Sequence, residues 1–387
     1  MLNGIHCNYT KSIFGTDLWD DFINEILCYG KKVLLVFGNI SERQELLKQR
    51  LEKDLSSIET WSITGVTADP DALMVYRGIE LVKKNSIDHI LAIGGGSVID
   101  TAKAIGIGAK VSFDFFDFFD GKARPNSMLP VGVLLTISGA GSESSDGAVI
   151  TKDNKKLSCG APNMYPHYVY IDPSLQLTVP ENLVSCGIYD SITHVMERYF
   201  SSTKNVETTS ALAIALFRNI IELGVKVNNN LYDPDLRGDL IWAQKLAHDN
   251  TVGFGRKQCW ATHTISHEIG VRTKETHGEI LSVLFPAWMS FIATEQPETI
   301  AKFGREAFNV DTKNSLVMQC ADTVFSLKEF SKTLGLATTF TELGHDLRDQ
   351  FQSIANACSR TTQSGTIGNF RRLSIDDIEK ILEIANC

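Results

Sequence analysis

Residues 87–93 read as a short strand whose apolar end, Ile90-Leu91-Ala92-Ile93, passes directly into Gly94-Gly95-Gly96-Ser97 and then into helix-compatible sequence from about Val98. A strand with no polar side must be covered on both faces, which is the situation of a central strand in a parallel sheet. A glycine turn between such a strand and a helix lets the backbone approach a phosphate. The free N–H groups at the helix N-terminus then favour the negative charge. The spacing is not the G-x-G-x-x-G dinucleotide fingerprint. With a strand before it and a helix behind it, the turn reads as a pyrophosphate cradle rather than a flexible linker.

The same alternation recurs on either side. Residues 31–38 predict a strand, 43–52 a helix with Leu46, Leu47 and Leu51 inward, and 59–63 a strand. Residues 71–85 predict a helix with Leu73, Tyr76, Ile79 and Val82 on its inner face. A strand over 131–137 leads into a polar glycine-rich loop at 139–145, and 168–171 predicts one more strand. Strands alternating with helices indicate a doubly wound, Rossmann-like parallel sheet. Beyond about residue 180 the strand signal ends and helices follow, for example over 210–223, 236–248 and 374–385. A chain of 387 residues exceeds what one core usually supports. The expectation is an α/β nucleotide-binding domain over 1–180 and an all-α metal-binding and substrate domain over 181–387.

Charge and composition exclude some partners. The net charge is −9 and no basic run is present, which argues against nucleic acid or an anionic membrane. No apolar run approaches the roughly 20 residues of a membrane span. The first residues lack an apolar stretch behind a basic start, so a secretory leader is not expected. The eight cysteines are scattered without a C-x-x-C pair, which suits a reduced, cytoplasmic protein.

The helical half carries a second set of candidates. Asp190 and His194 stand four apart, as do His263 and His267, and His277 follows in Glu-Thr-His-Gly-Glu. On a helix, residues i and i+4 share a face, so Asp190 and His194 can reach one ion. His263 and His277 can close the site from a second helix and the loop after it. One carboxylate with imidazoles suits Fe(II) or Zn(II) better than calcium or magnesium. Taken alone, each pair reads equally well as a surface ion pair or a core-edge histidine pair.

The stretch from Gly94 to Lys103, G-G-G-S-V-I-D-T-A-K, resembles the G-G-G-S-x-x-D-x-x-K signature of the iron-containing (group III) alcohol dehydrogenases. Three further segments match that family in chain order: Ala140-Gly141-Ser142-Glu143, the run from Gly187 to His194, and the run from Trp260 through His267 to His277-Gly278. Leu284-Phe285-Pro286-Ala287-Trp288-Met289 and Gly368-Asn369-Phe370-Arg371-Arg372-Leu373 are similar to its butanol-dehydrogenase and broad aldehyde-reductase branch. The resemblance implies a dehydroquinate-synthase-like architecture with one divalent metal, Fe2+ or Zn2+, on Asp190, His194, His263 and His277. It leaves His267 beside the metal as the candidate catalytic residue, able to orient substrate or relay a proton. It puts Gly95, Gly96 and Ser97 at the pyrophosphate, and Thr136, Ser142 and Lys156 along the nucleotide. It also implies a homodimer.

Two departures from the family pattern stand out. Ala140 replaces the usual threonine of T-G-S-E, and Glu279 puts a carboxylate just after His277-Gly278. Cofactor choice rests on the end of the first predicted strand, at Gly38 and Asn39. Neutral side chains there, with Arg43 nearby, favour NADP while leaving NAD open, because no acid precedes Glu42. The expected reaction is reversible hydride transfer between NAD(P)H and a small aldehyde or primary alcohol. The alternatives are a polyol dehydrogenase of glycerol type and a dehydroquinate-synthase-like lyase.

Overall fold

The apolar runs assemble into a six-stranded sheet in which every pairing is parallel. The coordinates are a computed structural model that describes residues 1–39, 41–362 and 364–386. In chain order the first unit, Cys7–Thr178, holds β1 (Lys11–Phe14), α1 (Trp19–Tyr29), β2 (Lys32–Gly38), α2 (Glu42–Asp54) and β3 (Glu59–Val66). It continues with α3 (Ala72–Asn85), β4 (His89–Gly94), α4 (Gly96–Gly108), β5 (Val131–Leu135), β6 (Gly147–Lys152), β7 (Lys155–Gly160) and β8 (Tyr168–Ile171).

The sheet order is β1-β8-β5-β4-β2-β3. From β2 the chain winds outward to β3, and from β4 it winds the other way to β5. The strand order therefore reverses between β2 and β4, which pair with Phe37 opposite Ile93. In open α/β sheets a ligand binds outside the carboxyl ends of the strands at this reversal. Gly38-Asn39 and the Gly94–Ser97 turn both leave the sheet there. Side-chain alternation sends Val33, Leu35, Phe37, Leu91, Ile93 and Leu134 to one face, where Phe22 and Ile26 of α1 cover them.

Several expectations need correction. Leu46 is 62% exposed and Leu73 is 66% exposed, so neither faces inward. The inner face of α3 is instead Ala72, Val75, Gly78 and Val82. A Cβ on Gly78 would come within 2.3 Å of Ile105, so glycine is what lets α3 pack closely on α4. The edge strand β1 and the antiparallel hairpin β6–β7 were not anticipated. Asp153 and Asn154 join that hairpin at φ of 50° and 58°, the left-handed pair that a two-residue turn requires.

The second unit is Val179–Cys387 together with Met1–His6, so the first six residues belong with the helical part rather than with the sheet. It runs through α5 (Glu181–Tyr199), α6 (Glu207–Asn229), α7 (Pro234–His248), α8 (Ala261–Thr273) and α9 (His277–Glu295). It ends with α10 (Pro297–Phe308), α11 (Leu316–Thr333), α12 (Phe351–Arg360) and α13 (Ile375–Asn386). Helix α5 is buried almost all round from Val184 to Tyr199, which marks it as the centre of this core. Among the described residues no helix is long and apolar enough to cross a membrane.

Candidate metal centre and nucleotide cradle

Three imidazoles converge on one carboxylate oxygen in the helical unit. The Nε2 atoms of His194, His263 and His277 lie 3.4, 3.6 and 3.7 Å from Asp190 Oδ1. Asp190 and His194 come from one face of α5, as their spacing predicts, and His263 from α8. His277 is the first residue of α9 and not part of a loop, a correction to the expectation. Its neighbour Gly278 fixes the position: a Cβ there would sit 2.2 Å from the carbonyl oxygen of Cys186, so α9 starts directly against the α5 backbone.

The residues present fit a divalent cation. Asp190 Oδ1 and His263 Nε2 are buried and have no hydrogen-bond partner, which is costly unless something else binds them. Four donors around one tetrahedral ion with bonds near 2.0–2.1 Å stand about 3.4 Å apart, close to the observed spacing. The atoms offered by Asp190, His263 and His277 all lie within 4.8 Å of one another, and His194 joins through Asp190.

Hydrogen bonds orient two of the imidazoles, and burial acts on the third. The Ser266 hydroxyl donates to the His263 carbonyl at 2.9 Å, so at 3.2 Å it accepts from His277 Nδ1, which places a hydrogen on that nitrogen. His263 Nδ1 stands 3.1 Å from Glu197 Oε1. Burial, then the neighbouring His248, His263 and Arg198, hold the pKa of His194 well below its usual value. Burial works against charge on His263, yet Asp190 and Glu197 outweigh it and raise its pKa.

His267, four residues after His263 on α8, has its ring centroid 5.5 Å from that of His277 and is half-buried. Glu279 is half-buried, and burial followed by repulsion from Glu275 raises its pKa. Spacing arguments missed the packing behind the ligands. His248 lies 4.1 Å from His194 ring to ring, and Arg198 stacks over Trp260 while bonding the His194 carbonyl at 3.0 Å. The one available hint was Glu197, a further turn along the Asp190–His194 face.

In the sheet unit the glycine turn is built for close approach. A Cβ on Gly95 would press on Ile137 at 3.1 Å, and one on Gly96 would meet the Cβ of Ala140 at 2.8 Å. Even the alanine that departs from the family pattern leaves no space at Gly96. Gly95 caps α4 without a side-chain acceptor, leaving first-turn N–H groups available. Ser97 Oγ donates to the Ala68 carbonyl at 2.7 Å. The Thr136 backbone N–H donates to Gly94 at 3.1 Å, and its hydroxyl oxygen is buried without a partner. Gly38 ends β2, and Asn39 is exposed beside it.

Ser142 and Lys156 are engaged elsewhere. The Ser142 hydroxyl donates to Asp100 and accepts from the buried Lys103 at 3.1 Å. Lys156, on β7, binds Asp69 at 2.8 Å. Arg43 donates to Thr178 and to the Ser174 carbonyl, the latter at 3.0 Å.

Comparison with known proteins agrees with this picture. Residues 10–173 match the family model for iron-containing alcohol dehydrogenase, and residues 184–386 match its C-terminal counterpart. A Bacillus subtilis protein named "Probable NADH-dependent butanol dehydrogenase 1" is 32% identical, with 99% of each chain covered. NADH-dependent butanol dehydrogenase A of Clostridium acetobutylicum is 30% identical over 97% of each. The crystal structure of NADH-dependent butanol dehydrogenase A from Thermotoga maritima superposes with a TM-score of 0.94 at 28% identity, covering 100% of this chain and 99% of that one.

Proposed function

The chain belongs to the iron-containing alcohol dehydrogenase family, and from that premise we propose that it interconverts a small aldehyde and a primary alcohol with NAD(P)H. The observation that carries this reading is the set of three imidazole Nε2 atoms around the unpartnered Asp190 oxygen. Asp190, His194, His263 and His277 would hold Fe(II) or Zn(II), since the ligand set accepts either. When bound, such a cation supplies Lewis acidity toward a carbonyl or alkoxide oxygen.

The protein's own groups supply the rest. Ser266 and Glu197 hold the Nδ1 side of two imidazoles and turn Nε2 toward the cation position, and burial favours neutral His194. In the aldehyde-to-alcohol direction one hydride leaves the dihydronicotinamide for the carbonyl carbon and one proton reaches the oxygen. His267 is the proposed relay for that proton. In the sheet unit the first-turn amides of α4 hold the pyrophosphate and the Thr136 hydroxyl meets the nucleotide.

Both nicotinamide dinucleotides are proposed as cosubstrates. The neutral Gly38-Asn39 end of β2 tolerates a 2′-phosphate, but Arg43 is tied to Thr178 and Ser174 and so offers that phosphate no free charge. The three relatives above carry NADH in their names, so NADH is expected to serve at least as well.

The test is oxidation of NADH and of NADPH by butyraldehyde, with Fe(II) or Zn(II) added back after chelation, in wild type and His263→Ala. Metal-restored turnover that the substitution abolishes supports the reading. A protein that binds metal and nucleotide yet turns over no aldehyde or alcohol overturns it, and polyol substrates come next.

A further inference from the structure

We infer that Glu197 is the positioning residue of the metal centre: one carboxylate caps helix α8 and locks the His263 ring, and so sets how tightly the site holds its cation. The inference rests on the metal-centre reading above. Helix α5 presents Asp190, His194 and Glu197 at i, i+4 and i+7, along one face. The first two point at the cation position, and the third meets the start of α8.

That start lacks a cap of its own. Trp260 occupies the N-cap position at φ 60° and its side chain accepts nothing, so the first N–H groups of α8 would be unpaired inside the core. Glu197 Oε1 takes them instead. It accepts from the backbone N–H of Thr262 at 3.1 Å and of His263 at 3.3 Å, and from the Thr262 hydroxyl at 2.6 Å. The same oxygen accepts from His263 Nδ1 at 3.1 Å. The Glu197 carbonyl also accepts from Cys259 N–H at 2.7 Å, which ties down the loop entering α8.

An ionised carboxylate only accepts, so Nδ1 of His263 must carry the hydrogen of that bond, and Nε2 is the nitrogen turned toward Asp190 and a cation. The ring cannot turn without breaking that bond, and α8 cannot shift without uncovering its amides. A negative charge at a helix N-terminus is favoured by the helix dipole as well. Carboxylate partners behind metal-binding histidines orient the ring and raise its basicity.

A plain helix cap would stabilise the fold without acting through His263, and a double-mutant cycle separates the two roles. The experiment uses full-length chains: wild type, Glu197→Gln, His263→Ala and the double substitution. Zn(II) affinity is read by competition with a chromophoric chelator. Glutamine keeps the shape and an acceptor oxygen but removes the charge. Glu197→Asp, one methylene shorter with the charge kept, is the second variant. We expect Glu197→Gln to weaken zinc binding about 10- to 100-fold, and to change it less than about threefold in the His263→Ala background.

A second readout needs no cation. In metal-free protein labelled with 15N-histidine, the Nδ1–H resonance of His263 should be protected from exchange in wild type and lose protection in Glu197→Gln. Unchanged zinc affinity in Glu197→Gln, or an undiminished loss in the His263→Ala background, overturns the proposal. If wild type takes up no zinc, the metal reading fails, and the Nδ1–H signal still decides whether Glu197 holds the ring.

Discussion

Lys103 donates to the hydroxyl of Ser142 at 3.1 Å, and that hydroxyl donates in turn to Asp100, so an ammonium and a carboxylate of α4 are joined through a residue of the 139–145 loop. Lys103 is wholly buried and also donates to the carbonyls of Ser145 at 2.9 Å and Gly147 at 2.8 Å. Asp100 accepts from the Val149 N–H at 2.8 Å. The helix that opens at the glycine turn is thereby bolted to the loop packed against that turn. Burial pulls the Lys103 pKa down to about 8, against the attraction of Asp100.

Replacing Lys103 with methionine should therefore do more than remove a charge. Three acceptors lose their donor and Asp100 keeps an uncompensated carboxylate. Removing one partner of a buried pair costs about 3–5 kcal/mol, so a fall of about that size is expected in urea unfolding followed by far-UV circular dichroism. The KM for NADH should rise as the 139–147 segment loosens. A variant within about 1 kcal/mol of wild type would show that the bolt contributes little.

Thr136 makes the opposite prediction. Its buried hydroxyl oxygen has no partner, which in a protein without nucleotide is a liability rather than a support. Thr136→Val should leave stability unchanged or raise it by up to about 1 kcal/mol. If the hydroxyl serves the nucleotide, KM for NAD(P)H rises several-fold while kcat changes little. An unchanged KM would take Thr136 out of the cofactor site.

The contrast between these two residues shows what the sequence makes legible. Strands β2, β4 and β8 announce themselves as short runs dominated by apolar residues because both faces are covered. Strand β1 does not, because Lys11-Ser12-Ile13-Phe14 is a four-residue edge strand with a single buried side chain. Leu51 is inward as expected, but Leu46 and Leu73 face solvent, and Gly78 holds an inner position of α3 while carrying no apolar signal. The convergence of Asp190, His194, His263 and His277 was legible as i, i+4 spacing joined to a family motif. For Glu197 the sequence offered only its place on the Asp190–His194 face, since its role depends on the start of α8, 65 residues away in the chain. For the same reason nothing local distinguished the unpartnered hydroxyl of Thr136 from the fully used one of Ser142.

Acid sensitivity follows from His89. It is buried in β4, accepts or donates at 3.0 Å with the Tyr168 hydroxyl, and burial drives its pKa down to about 3, with His167 adding to the effect. An unfolded histidine titrates near 6.5, so between those values the unfolded chain binds a proton that the folded one refuses. Stability is fully present above pH 6.5 and is lost as pH falls toward 3. The contribution is at most about 1.4 kcal/mol per pH unit. His89→Phe loses the Tyr168 bond and lowers stability at pH 7, but should flatten the slope between pH 6.5 and 4.5 in urea titrations. Equal slopes for the two proteins would mean that His89 is not the group that senses acid.

Cofactor discrimination is expected to turn on Asn39 rather than on Arg43. Asn39 follows the last residue of β2, at the strand reversal where an acid would receive a ribose 2′-hydroxyl and repel a 2′-phosphate. Arg43 is the second residue of α2, but its guanidinium already bonds Thr178 and the Ser174 carbonyl. Supplying it to a phosphate means giving up those bonds. Asn39→Asp should therefore cut kcat/KM for NADPH by about tenfold or more, roughly 1.4 kcal/mol, and leave that for NADH equal or improved. Arg43→Ala should change the NADPH to NADH ratio by less than about threefold, because the side chain serves the fold and not the nucleotide. Should Arg43→Ala instead abolish NADPH use and spare NADH, the guanidinium must leave Thr178 when cofactor binds, and Arg43 becomes the specificity residue in place of Asn39.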